Sequence, residues 1–389
     1  MAQQPIFLMV AGLSPQVVTE TLYAFHRESS TSLVGAELHL ITTLEGAQRA
    51  ELTLLTGANA RLPKLIADYG LPDIRFSTTH LHIIPDSQGR PLEDIRTPDD
   101  NAAAANFITQ RVRDFTSRPD TALHVSLAGG RKTMGFYIGY ALSLYGREQD
   151  TLSHVLVSER FESHPEFFYP TPESQVIYTR DGKPLDTRRA EVTLARIPFV
   201  RLRDELPQEA LVQQLSFSDA VALLNAATQP AQLRVSVSTP RLICNGISVT
   251  LEPMEWMLYL WFVHRCQQRA EPLTPPVEGH PDRALANEML GVIRHFDLED
   301  RLSPRSLAAL EDGLDLGPLR TRRSTLHRKL KLGLGRRLAE PFMIANVRHQ
   351  RHSGWALTLC PEQITLTHHP LDGPLDSSPT PHVSQGGAT

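Results

Sequence analysis

Ile6-Phe7-Leu8-Met9-Val10-Ala11-Gly12-Leu13-Ser14-Pro15-Gln16 is the stretch that decides the fold. Its first five residues are apolar without a break, a run too short for a helix and stopped by Gly12, so they read as a strand buried on both faces. Ser14 is a favourable N-cap, and Pro15 fits the first helical position, where its missing N–H removes no hydrogen bond. Strand therefore passes to helix within four residues. The alternation continues, with strands expected at Glu37–Thr42, Leu81–Ile84, Ala122–Leu127, Leu152–Val157 and Glu191–Ile197. Helices are expected from Pro15, through Ala50–Thr56, over Ala102–Phe115 and again after Leu127. This order predicts an α/β, Rossmann-like domain with a mainly parallel sheet and helices on both faces.

With 389 residues the chain exceeds what one hydrophobic core usually organises. We expect a Rossmann-like domain over 1–200, a linker over 201–230, a second domain over 231–370, and a disordered tail over 371–389 rich in Pro, Ser, Gly and Thr. In the second domain, Leu233–Val237 and Arg241–Leu251 read as strands, the latter turning at Asn245-Gly246. Helices over Glu255–Arg269, Arg283–Phe296, Pro304–Asp312 and Leu319–Leu332 follow, and then a hairpin of Trp355–Leu359 with Gln363–Thr367. Strands, helices and a terminal hairpin predict a winged helix-turn-helix.

Lys and Arg number 39 against 43 Asp and Glu, a net charge of −4, so any nucleic-acid surface must be local. Three cysteines, Cys244, Cys266 and Cys360, form no C-x-x-C pair, which argues against a disulfide framework or structural zinc. The first strand lacks the basic flank and cleavage site of a signal peptide, and no apolar run is long enough to span a bilayer. A cytoplasmic protein with no metal, no cofactor and no membrane partner is expected.

In an open α/β sheet, ligands bind beyond the carboxyl ends of the strands. Two loops there carry anion chemistry. The loop Gly12, Leu13, Ser14, Gln16 presents the free amides of a helix start, and Gly129, Gly130, Arg131, Lys132, Thr133 combines two glycines with two cations at a helix's first turn. Cations at that end oppose the helix dipole unless an anion sits there. Thr42 and Thr43, ending the second strand, offer hydroxyls. Ser-Pro also fits plain capping, and Gly-Gly-Arg-Lys a solvated turn. Their occurrence after two strands of one sheet favours a site.

The strings Gly12-Leu-Ser-Pro-Gln-Val-Val-Thr-Glu-Thr-Leu22, Ile41-Thr-Thr, Gly129-Gly-Arg-Lys-Thr-Met-Gly135, Leu152–Val157 and Phe167-Phe-Tyr-Pro170 together resemble the CRISPR-associated Rossmann fold (CARF) proteins of the ring-nuclease type. The resemblance covers the first half of the chain. It implies a homodimer that binds cyclic tetra-adenylate across its two-fold axis. It also implies cleavage of the ring without metal, supported by a first-loop serine and a later lysine, here Ser14 and Lys132 as catalytic residues.

The segment Leu319–Leu332 carries Arg320, Arg322, Arg323, Arg328, Lys329 and Lys331 without an acid, so it reads as a recognition helix able to reach DNA. From Leu233 onward the pattern resembles response-regulator winged helices. Two other functions stay open: a messenger-gated DNA-binding regulator without turnover, and a HEPN ribonuclease, whose Arg-x4-His spacing is matched by Arg322 and His327. HEPN domains are all-helical, which the expected hairpin contradicts.

Overall fold

The computed structural model describes residues 3–28, 32–207, 210–211, 215–349 and 352–368. The expected tail lies outside them. The chain divides into two compact units, Met1–Asp204 with Ala210–Ala220, and Glu205–Glu209 with Val221–Thr389.

In the first unit, β1 (Gln4–Val10), β2 (Glu37–Thr42), β3 (Leu81–Ile83), β4 (Thr121–Ser126), β5 (Thr151–Val157) and β8 (Val192–Ile197) form one sheet in the order β3-β2-β1-β4-β5-β8. All pairs are parallel except β5 with β8. The apolar opening run is its central strand: Ile6 through Val10 are wholly buried. Phe7 and Met9 pack with Val18, Leu22 and Phe25 of α1 (Gln16–Glu28), the Phe7 and Phe25 rings meeting edge-on at 4.9 Å. The chain passes from β1 to β2 and β3, through α2 (Leu44–Ala50) and α3 (Arg61–Tyr69), before crossing by α4 (Pro98–Thr116) to β4 and α5 (Lys132–Tyr145) on the other side. The strand order reverses between β1 and β4, the place in an open α/β sheet where ligands bind beyond the strand ends. A short hairpin, β6 (Val176–Tyr178) with β7 (Pro184–Asp186), precedes β8.

One buried ion pair fixes the far end of β4. Asp150, fully enclosed, accepts from Leu123 N (2.9 Å) and from Arg147 Nε (3.0 Å) and Nη2 (2.8 Å). Arg147 also donates to the carbonyls of Thr121 (2.9 Å) and Arg118.

The second unit is mixed α/β. Its four-stranded sheet runs β11-β10-β9-β14, from β9 (Leu233–Ser236), β10 (Arg241–Cys244), β11 (Ile247–Thr250) and β14 (Ile364–Thr367). Asn245 (φ +45°) and Gly246 (φ +86°) turn β10 into β11, both in the left-handed region that a two-residue hairpin turn requires. Helices α6 (Pro253–Gln267), α7 (Arg283–His295), α8 (Pro304–Glu311) and α9 (Leu316–Leu334) surround the core. In α6 every residue from Trp256 to Val263 is buried, so this stretch of the helix is covered all round. Its polar tips are satisfied, Trp256 Nε1 by Ser236 O (3.0 Å) and Tyr259 OH by Phe342 O (2.8 Å).

The expected hairpin of Trp355–Leu359 with Gln363–Thr367 does not form. β13 (His352–Ala356) pairs instead with β12 (Ala345–His349), and the other edge of Trp355 is occupied by Leu273 through two 2.8 Å backbone bonds. Cys360–Gln363 forms a tight turn, closed by Cys360 N to Gln363 Oε1 (2.8 Å). Gln363 Nε2 bonds to Ala231 O (2.8 Å), steering β14 onto β9 in parallel register. No described helix is long and apolar enough to cross a membrane.

Candidate functional site

The loops after β1 and β4 meet backbone to backbone. A Cβ placed on Gly12 would stand 3.6 Å from Gly130 Cα, while Gly129 has φ +98° and leaves only 2.9 Å between its would-be Cβ and Val10 O. A side chain at Gly129 would thus force the loop off the end of β1. Around this contact opens a pocket of about 370 Å³, lined by Gly12, Leu13, Ser14, Gln16, Val17 and Glu20 from one side and by Gly129 and Gly130 from another. His154–Val157 of β5 and Glu162–His164 of the following loop close it.

The structure sorts the expected site residues. Gly12, Leu13, Ser14, Gln16, Gly129 and Gly130 share the pocket. Arg131, Lys132 and Thr133 are exposed at the start of α5 and do not line it. The cations at that helix start need no bound anion as their sole explanation, because Asp94 takes Arg131, with Nε–Oδ1 at 3.1 Å and a second, shorter contact from Nη2. The Arg131 guanidinium in turn holds the Asp94 carboxyl below its usual range. Lys132 makes no ion pair among the described residues. Thr43 caps α2, accepting from Gly46 N at 3.4 Å, and the Thr42 hydroxyl is wholly buried under Gly46 without a partner, so neither faces the pocket.

One pocket carboxyl went unread in the sequence. Glu20 lines the pocket while only 6 % exposed, and makes no hydrogen bond among the described residues. Burial, reinforced by the Glu162 carboxylate, pushes its carboxyl up to about 8, so it carries its proton at neutral pH. Gln16, one helical turn earlier, donates Nε2 to Pro165 O (3.4 Å), but its Oε1 is buried without a partner. The available signal was a glutamate within Val17-Val18-Thr19-Glu20-Thr21-Leu22, a segment otherwise fit for burial. His154, which reads as an internal strand residue, also reaches the pocket. Among the described residues no group of three or more His, Cys, Asp or Glu is arranged to hold a metal.

A model of the family described as CRISPR-associated protein NE0113 matches residues 14–230, more than half of the chain and nearly all of the first unit. The chain belongs to the CRISPR-associated protein NE0113 family. The match begins at Ser14, two residues after Gly12, and takes in every pocket residue except Gly12 and Leu13. No curated protein matches the sequence.

Beyond the matched region, the basic helix α9 has two faces. Arg323 lies over the Trp355 ring (3.8 Å) and donates to Asn346 Oδ1 (3.0 Å), Arg322 is half-buried, and Lys329 pairs with Glu255 (2.8 Å). Arg320, Ser324, Arg328 and Lys331 are exposed and fall along one side at helical spacing. None of the three cations makes an ion pair among the described residues. Arg322 and His327 sit in a unit with two sheets, not the all-helical setting of a HEPN site, and burial lowers His327 to about 4.

Proposed function

We propose that this chain binds a cyclic oligoadenylate, cyclic tetra-adenylate above all, and opens it to linear products, switching off type III CRISPR signalling. The observation that carries the reading is the joining of the Gly12 and Gly130 loops around one pocket that Ser14 lines, in a CRISPR-associated family. A pocket of this size holds one nucleotide and not a whole four-nucleotide ring, so a second copy supplies an equivalent pocket for a second nucleotide of the same ring, and we assign the working form as a homodimer.

In the proposed reaction a ribose 2′-oxygen attacks its own 3′-phosphorus and the bond to the next 5′-oxygen breaks. The 2′-proton ends on the leaving oxygen, which yields a 2′,3′-cyclic phosphate and a 5′-hydroxyl. Holding the two groups in line can supply about 7–11 kcal/mol of the barrier. Ser14 orients the ribose or phosphate, and Lys132, exposed at the first turn of α5, neutralises charge gathering on phosphorus. Incubating the protein with cyclic tetra-adenylate and following the products by mass spectrometry tests this. Linear cyclic-phosphate products are expected, at a rate that EDTA leaves unchanged; a protein that neither binds nor opens the ring would refute the reading.

The exposed basic face of α9 favours a second reading, a winged-helix regulator that binds DNA under control of the same ring. Arg320→Ala with Arg328→Ala is then expected to weaken DNA binding and lower its salt slope by up to about two. Arg322→Ala with Arg323→Ala disturbs packing instead. DNA affinity indifferent to the ring, or to the exposed pair, rules this out.

A further inference from the structure

The pocket holds more polar chemistry than anchoring a phosphate needs. Gln16 and Glu20 lie one turn apart on α1, about 6 Å along one face. Both are more than nine-tenths buried and both line the pocket. Gln16 Oε1 is a buried acceptor with no partner, and Glu20, which lines the pocket, makes no hydrogen bond with another described residue. Buried polar groups are otherwise almost always paired, so the enclosed Gln16 Oε1, beside a glutamate with no protein partner, marks where a ligand supplies the partners. A phosphate cannot supply both: it brings only acceptors and leaves Gln16 Oε1 without a donor.

We propose that Gln16 and Glu20 read an adenine base, an inference that rests on the cyclic oligoadenylate function above and specifies which atoms confer its base preference. A neutral carboxylic acid presents a donor O–H beside an acceptor C=O. Adenine presents the complement, an acceptor ring nitrogen beside the N6 amine. The Glu20 O–H donates to the ring nitrogen, its carbonyl accepts one N6 hydrogen, and Gln16 Oε1 accepts the other. Hypoxanthine or guanine would bring O6 into the place of the amine, acceptor against acceptor. Protonation of Glu20 at neutral pH follows from its enclosure. The other titratable side chains lining the pocket are Glu162 and His164 of the loop and His154 of β5; α1 adds none besides Glu20.

The test measures affinity of the full chain for the 2′-deoxy form of cyclic tetra-adenylate, which has no attacking hydroxyl, and for its hypoxanthine counterpart. For the wild type we expect the adenine ring to be preferred at pH 7 by on the order of a hundredfold. Its affinity should fall about tenfold from pH 7 to 9 as Glu20 ionises. Glu20→Gln, whose amide offers the same donor and acceptor without titrating, should keep the preference and bind equally at both pH values. Glu20→Leu should lose the preference. A wild type indifferent to pH, a pH-dependent loss shared by Glu20→Gln, or undiminished selectivity in Glu20→Leu would each remove Glu20 from base recognition. A wild type that binds neither ring overturns the underlying function instead.

Discussion

Asp150→Ala is expected to cost the first unit about 3–5 kcal/mol, since truncating one member of a buried ion pair strands the other. Arg147 would be left with its guanidinium 12 % exposed and no carboxylate, and Leu123 N would lose its acceptor in the middle of the sheet. A loss of that size is a large part of the 5–15 kcal/mol that typically holds a domain together. Asp150→Asn keeps an acceptor for Leu123 and should cost less. The three tryptophans, Trp256, Trp261 and Trp355, all belong to the second unit. In urea titrations the far-UV circular dichroism should therefore show an early phase that tryptophan fluorescence does not follow. Superimposable dichroism curves for Asp150→Ala and wild type would show that the pair contributes little.

Lys132→Ala is expected to slow ring opening by about a hundredfold. With Arg131 engaged by Asp94, Lys132 is the cation left unpaired at the first turn of α5 among the described residues. Its charge is most useful when phosphorus becomes pentacoordinate, where one well-placed donor is worth about 2.7–4 kcal/mol. An interaction made only in the transition state lowers kcat and leaves KM nearly unchanged. Single-turnover rates at saturating ring decide the matter: an unaltered rate takes Lys132 out of the mechanism, and a raised KM with normal kcat makes it a binding group.

How much of this was legible depends on what each residue pattern encodes. The Ile6–Val10 run and the Gly12 and Gly129-Gly130 breaks locate the central strand, its neighbour β4 and the crevice, because burial on both faces and positive φ leave marks in composition. Strand direction leaves none. Nothing in the residues of Val192–Ile197 marks β8 as the strand that runs antiparallel to β5. At the other end of the chain, two strand-like segments separated by Cys360-Pro361-Glu362 imitate a hairpin. Their true partners are set by edges already taken, Leu273 on one side of Trp355 and β9 open to Ile364–Thr367. In the site, the loops and Gln16 were readable, but Glu20 was not. Thr42 and Thr43 have suitable hydroxyls whose direction only the packing of Gly46 reveals. Glu20 has ordinary sequence surroundings and an unusual environment, and what makes it chemically active is the enclosure.

The parallel pairing of β14 with β9 joins residues about as far apart in sequence as the second unit permits. A ribosome making this chain releases β9, β10, β11 and all the helices of that unit before the strand that completes their sheet exists. Until Ile364–Thr367 emerges, the backbone of Leu233–Ser236 is an open edge able to recruit a strand from another chain. Nascent or truncated molecules ending before residue 364 should accordingly be the ones that chaperones hold and that aggregate, even with the first unit already folded ahead of them.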